Sequence, residues 1–76
     1  MARLEQKLSI RSRLHVLRAE QRITQDKLAD AIGVTRATIN AIEKGNYNPS
    51  LDLAFRLAKH FSVGIEEIFS VEGEKK

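Results

Sequence analysis

Cysteine is absent from the 76 residues, which excludes disulfide frameworks, thiol catalysis and zinc sites built on thiolates. The two histidines, His15 and His60, stand far apart, so no dedicated transition-metal site and no cofactor are expected. No apolar run approaches the ~20 residues that cross a bilayer, and the first residues lack a secretion-type apolar stretch. A soluble, cytoplasmic protein without membrane contact is therefore expected. Internal repeats and low-complexity segments are also missing. At 8.6 kDa the chain has room for one small domain and none for a multi-step enzyme with its own substrate cleft. Glu66 and Glu67 are sequence neighbours, so on a helix they point ~100° apart, poor geometry for paired acid–base carboxylates. No Ser or Thr has a His placed to activate it. The expectation is a binding module, not an enzyme.

What remains is a modest core on a basic body. Eight Leu, seven Ile, four Val and three Phe supply the large apolar side chains. A core of that size leaves a small net stability, which makes pairing of two copies attractive. Residues 1–60 carry 11 Lys/Arg against 6 Asp/Glu, whereas residues 61–76 carry 2 against 4. Such a balance suits a polyanion such as DNA, although net charge alone points more often to an ordinary basic protein.

Residues 1–9 read as an arm, with Leu4 and Leu8 spaced for a helix but Leu8 and Ile10 alternating as in a strand. From Ile10 to about Gln21 the apolar residues Ile10, Leu14 and Leu17 form one helical face. A second helix starts at the N-cap Thr24, with Asp26 in its first turn and Ile23 and Leu28 spaced as a hydrophobic staple. Leu28, Ala29 and Ile32 face inward, and Gly33 ends it as a left-handed residue does. The same grammar repeats at once: Thr35 caps a third helix, Val34 and Ile39 are its staple, Ile39 and Ile42 its apolar face, and Gly45 its end. Gly45–Asn46–Tyr47–Asn48–Pro49 is a loop by composition. Ser50 caps a fourth helix with apolar positions Leu51, Ala54, Phe55, Leu57, Ala58 and Phe61, broken at Ser62–Val63–Gly64. A short fifth helix is expected from Ile65 to about Phe69, with Gly64 a weak cap. The fold expected is all-α, five short helices, with room for a short strand in the N-terminal arm or in the polar tail, where Phe69 and Val71 alternate. Its divisions are an arm at 1–9, a domain at 10–69 and a tail at 70–76.

A short helix, a tight Gly turn and a second short helix form a helix-turn-helix. With Thr24–Gln25, Leu28–Ala29, Gly33–Val34–Thr35, Ile39 and Ile42–Glu43 in place, the run TQDKLADAIGVTRATINAIEKGNYNPSLDLAFRLAKHFSVGIEEIF resembles the Cro/phage-repressor (XRE-type) helix-turn-helix family, especially its small stand-alone bacterial regulators. The likeness extends from about Ile10 to Phe69. It implies a DNA-binding transcriptional regulator, with repression by occupancy of the site. Such a regulator is expected to be a homodimer on an inverted repeat, its third helices in successive major grooves about 10 bp apart.

Helical geometry places Ile39 and Ile42 on one side of the third helix and Arg36, Ala37, Asn40, Ala41 and Lys44 on the other. Arg36 can present a bidentate fork to guanine, Asn40 can pair with adenine, and the Ala37 methyl can sit on a thymine methyl, so Arg36, Ala37, Asn40 and Ala41 are the expected base readers. A solvated helix face is the bland alternative. By resemblance Gln25 lies against a phosphate, helped by the helix N-terminus. Thr35, Thr38, Lys44, Asn46, Tyr47 and Asn48 are further phosphate candidates, although Tyr47 equally suits loop packing and Thr35 serves first as a cap. The resemblance also implies an ion pair between Arg18 and Glu43 that fixes the third helix on the first. Where the family usually has Gly between helices one and two, this chain has Arg22, at a cost of about 1 kcal/mol if the left-handed turn is kept. Arg3, Lys7, Arg11 and Arg13 can reach DNA, or their segment can pair with the C-terminal strand of a partner. Ile65, Phe69 and Val71 exceed what the core needs and are the expected dimer surface. Two other uses of the fold remain open: an antitoxin that neutralises a toxin protein and represses its own operon, and an adaptor that binds protein alone.

Overall fold

The computed structural model describes residues 8–72. Strand β1 (Ile10–Ser12) leads into helices α1 (Leu14–Gln21), α2 (Gln25–Ile32), α3 (Arg36–Glu43) and α4 (Leu51–Phe61). A single 3-10 turn at Ile65–Glu67 and strand β2 (Phe69–Val71) follow. Hydroxyl caps start three of the four helices, as their sequence positions require. Thr24 Oγ1 accepts from the Lys27 amide, Thr35 Oγ1 from Thr38 and Ser50 Oγ from Leu53, at 3.1–3.2 Å. α1 lacks such a cap at Arg13, and Ser12 Oγ accepts from the Leu14 amide instead.

The helix ends depend on left-handed residues. Gly33 turns the chain between α2 and α3 at φ 91°, its amide and that of Val34 both donating to the Ala29 carbonyl. Arg22 at φ 58° and Ser62 at φ 57° do the same after α1 and α4 with side chains that disfavour this region. The Ile23 amide donates to Arg18 O and the Val63 amide to Ala58 O, so the closing bonds of both helices are kept despite the strain. Arg22→Gly should therefore stabilise the fold by about 0.5–1 kcal/mol, the relief of strain exceeding the added freedom of the unfolded chain. The check is a rise of a few degrees in Tm.

Leu14, Leu28, Ile39, Ile42, Leu57 and Ile68 are fully buried at the centre of the core. Ile23, Val34 and Val63, the residues preceding three N-caps, pack against it as staples. Arg56 ties α4 to the end of α2: its Nη1 donates to the Ile32 carbonyl at 2.6 Å while its Nε donates to Asp52. The carbonyl at a helix C-terminus carries partial negative charge, so a guanidinium is a fitting cap.

Four expectations need correction. The stretch from Ile10 is strand for three residues, and α1 begins only at Leu14. The fifth helix is one 3-10 turn, because Gly64 offers no cap and the chain from Phe69 is taken by β2. The fold is thus four helices with a two-stranded sheet, not five helices. The apolar face of α4 is Leu53, Ala54, Leu57, Ala58 and Phe61, whereas Leu51 and Phe55 are 70% and 51% exposed. The first strand forms at Ile10–Ser12, beyond the arm at 1–9 where one was expected, and it pairs within the chain with the second, which begins at Phe69. β1 and β2 run antiparallel with Ile10 opposite Val71, Arg11 opposite Ser70 and Ser12 opposite Phe69. Within the described residues this partner for β1 is the chain's own tail. Arg3, Lys7 and the rest of residues 1–7, with residues 73–76, lie outside the described residues.

Candidate nucleic-acid interface

The N-terminal ends of α2 and α3 meet at one edge of the molecule, because the Gly33 turn folds the two helices against each other while Ile39 and Ile42 anchor α3 in the core. Arg36, Ala37 and Lys44 are exposed; Asn40 and Ala41 are half-buried on the same helix. The face thus carries guanidinium, amide and ammonium donors with methyl groups between them. Asn46, Tyr47 and Asn48 are exposed in the loop that follows, with Tyr47 at 44%. Asn46 also closes α3, its amide donating to Ala41 O. Thr35 and Thr38 share a hydroxyl hydrogen bond of 3.0 Å beside the Thr35 cap, so part of their hydrogen-bonding capacity is already committed.

Beneath the edge lies the ion pair expected between Arg18 and Glu43. Arg18 Nε donates to Glu43 Oε2 at 2.7 Å and Nη2 to Oε1 at 3.1 Å, while Nη1 donates to the Ile23 carbonyl. The fork is bidentate and clamps α1 to the end of α3. Burial pushes the Glu43 carboxyl up, but hydrogen bonds from Arg18 and Gln25, with the charges of Arg18 and His15, outweigh it and hold it below the ordinary value. The carboxylate beside Arg18 holds that guanidinium more firmly protonated still.

Gln25 does more in the free protein than wait for a phosphate. Its Nε2 donates to Glu43 Oε1 at 3.0 Å and to Asn40 Oδ1 at 3.2 Å, and its Oε1 accepts from Arg36 Nε at 3.4 Å. A continuous chain of polar contacts thus runs from Arg18 through Glu43 and Gln25 to Arg36 and Asn40. Spacing along one helix does not reveal it, since it joins the first turn of α2 to Arg36, Asn40 and Glu43, spread along the two turns of α3. Arg56, which fixes the C-terminus of α2, is another residue whose role the sequence pattern left unread.

A second surface lies around the sheet. Ile10, Asn48, Pro49, Ala54, Ile65 and Phe69 line an apolar groove of about 210 Å³. Ile65, Phe69 and Val71 are half-buried in the single chain. On α4, Leu51, one turn before Ala54, and Phe55, the residue after it, are exposed. Among the described residues no helix is long and apolar enough to cross a membrane, and no group of His, Asp or Glu is placed to hold a metal ion.

Residues 14–68 match the model of the helix-turn-helix family HTH_3. The chain is 50% identical over 66 residues to the uncharacterized HTH-type transcriptional regulator MJ0272 of Methanocaldococcus jannaschii, covering 87% of this chain and 100% of that protein. It is 39% identical over 59 residues to the cryptic phage CTXphi transcriptional repressor RstR of Vibrio cholerae, covering 78% of this chain and 53% of that one. Among solved structures it resembles the restriction-modification controller protein C.AhdI of Aeromonas hydrophila. That match has a TM-score of 0.66 at 31% identity, over 72% of this chain and 80% of that one.

Proposed function

The chain belongs to the helix-turn-helix family HTH_3, of the Cro/phage-repressor (XRE) type, and from that premise we propose a sequence-specific repressor of transcription that binds duplex DNA as a homodimer. The observation that carries this reading is the outer face of α3, where Arg36 and Asn40 project donors beside the methyls of Ala37 and Ala41. A helix of this kind fits the major groove, with Arg36 on guanine and Asn40 on adenine. Lys44, Thr35, Thr38, Asn46, Tyr47 and Asn48 frame it as phosphate contacts that set register without reading sequence. Similarity to a phage repressor favours repression by occupancy.

The dimer is built on the groove beside the sheet. Its centre is Ile65 and Phe69 of that groove together with half-buried Val71, two residues further along β2. Phe69→Ala should weaken self-association about ten-fold, as truncation of a central apolar anchor does. Sedimentation at graded concentrations, with helical content followed by circular dichroism, checks this; an undiminished dimer removes the surface from consideration.

Selection of binding sites from a random duplex pool tests the function itself. Enrichment of an inverted repeat with half-sites about one helical turn apart is the expected result. A pool that stays flat at low salt overturns the DNA-binding reading and points to a partner protein.

A further inference from the structure

We propose that Arg22 is a phosphate-binding residue, its strained left-handed backbone kept because the guanidinium grips the DNA strand beside Gln25. The inference rests on the DNA-binding reading and adds to it a contact from the turn between α1 and α2.

The turn needs its left-handed residue, since that conformation lets the Arg22 amide reach Ala19 O and the Ile23 amide reach Arg18 O, both at 3.1 Å. Glycine adopts it without steric cost, whereas arginine at φ 58° is strained. Strained backbone of this kind gathers at ligand clamps and other functional sites. Within the fold the side chain gives nothing back for it. Among the described residues Arg13, Arg18, Arg36 and Arg56 each donate to an acceptor of the protein, and the Arg22 guanidinium donates to none. Arg22 is also exposed, so it fills no part of the core.

Its position is at the edge that carries the reading face. The Ile23 carbonyl accepts from Arg18 Nη1 at 3.0 Å, and the same guanidinium holds Glu43 at the end of α3. Gln25, three residues after Arg22, bonds to Asn40 and Glu43. The turn is thus tied to α3 from both sides, and a guanidinium rooted in it reaches the phosphate expected at Gln25 or the next one along the strand. The closed backbone bonds of the turn fix the base of the side chain, which lowers the ordering cost of the contact. A phosphate gripped there sets how α3 sits on the strand without reading a base. Ser62 supplies an internal control. It closes α4 in the same conformation, at φ 57°, but carries no charge. α4 meets the C-terminal end of α2 at Arg56, opposite the Gln25 end, and Ser62 lies beyond that crossing.

Arg22→Gly, Arg22→Lys and Ser62→Gly, each made in the full chain, separate a phosphate contact from a tolerated irregularity. The readouts are Tm and affinity across a salt series, for a selected site and for an unrelated duplex. Arg22→Gly and Ser62→Gly should both raise Tm by a few degrees. Only Arg22→Gly should lose affinity, about ten-fold at low salt on both duplexes, with the salt dependence reduced by about one phosphate per half-site. Base preferences should stay as they are. Arg22→Lys keeps a cation on the same strained backbone and should retain the wild-type salt dependence. If Arg22→Gly is more stable yet binds with unaltered affinity and salt dependence, the arginine holds no phosphate and the proposal fails. Equal losses in Arg22→Gly and Arg22→Lys with the salt dependence unchanged overturn it too, since charge is then not what was removed. A wild-type chain that binds neither duplex overturns the DNA-binding reading and this one with it.

Discussion

Arg18→Ala is expected to destabilise the protein by about 2–4 kcal/mol at neutral pH, a large share of the stability of so small a domain. The cost arises from what is left behind. The Glu43 side chain is 9% exposed and that of Arg18 20%, so deleting the arginine strands the more buried charge with only the Gln25 amide on it. The loss stays near or below the range for fully enclosed pairs because Arg18 is partly solvated. Glu43→Gln should cost less, since the liberated guanidinium has water within reach and the amide oxygen still accepts.

Acidification should change the gap between the two proteins. In the wild type, Glu43 has its pKa held below the ordinary carboxylate value of about 4.3. Its stabilising contribution is therefore complete above that value and fades as pH falls through the lower folded-state value. Burial is already the largest single influence on Glu43, and without the Arg18 hydrogen bond and charge to outweigh it the carboxyl should move upward instead. Protonation then relieves the variant while it weakens the wild type, so their difference shrinks between pH 7 and pH 4. Urea denaturation at the two pH values measures it; a gap that stays constant or widens in acid contradicts the assignment.

The other large effect belongs to the reading face. Arg36→Ala should remove about 1–3 kcal/mol of discrimination at one base of each half-site, about five- to 150-fold in selectivity, while leaving binding to random duplex largely intact. Lys44→Ala should do the reverse, weakening every sequence alike and reducing the salt dependence by about one phosphate contact per half-site. Affinities for the selected site and for one-base variants of it, measured at several salt concentrations, distinguish the two. Equal losses of selectivity and of salt dependence in both variants would mean that the roles are not divided in this way.

These effects differ in how far a sequence announces them. Thr24, Thr35 and Ser50 declare helix starts because a cap acts within three residues of itself, and Gly33 and Gly45 declare ends for a similarly local reason. Arg22 and Ser62 occupy equivalent left-handed positions, yet only Arg22 was suspect, and that through resemblance to a family with Gly there. The α4 face was misread because Leu51 and Phe55 are as apolar as Leu53, and hydropathy alone does not say which side of a helix meets the core. Three-residue strands carry too little alternation to predict their partner. The exposure of Arg36 and Ala37 follows from helix periodicity, whereas the contacts of Gln25 depend on how closely α2 and α3 approach.

The pairing of β1 with β2 has a kinetic meaning. Ile10 meets Val71, and the Glu72 amide donates to the Ser9 carbonyl at 2.7 Å, so the clasp joins opposite ends of the described chain. Helix caps and the Gly33 turn need only neighbours, but this clasp must close a loop through almost the whole domain before any contact repays the lost chain entropy. It is therefore expected to form on the native side of the folding barrier. Substitutions there should shorten the lifetime of the folded state by quickening unfolding, and leave the speed of folding nearly unchanged.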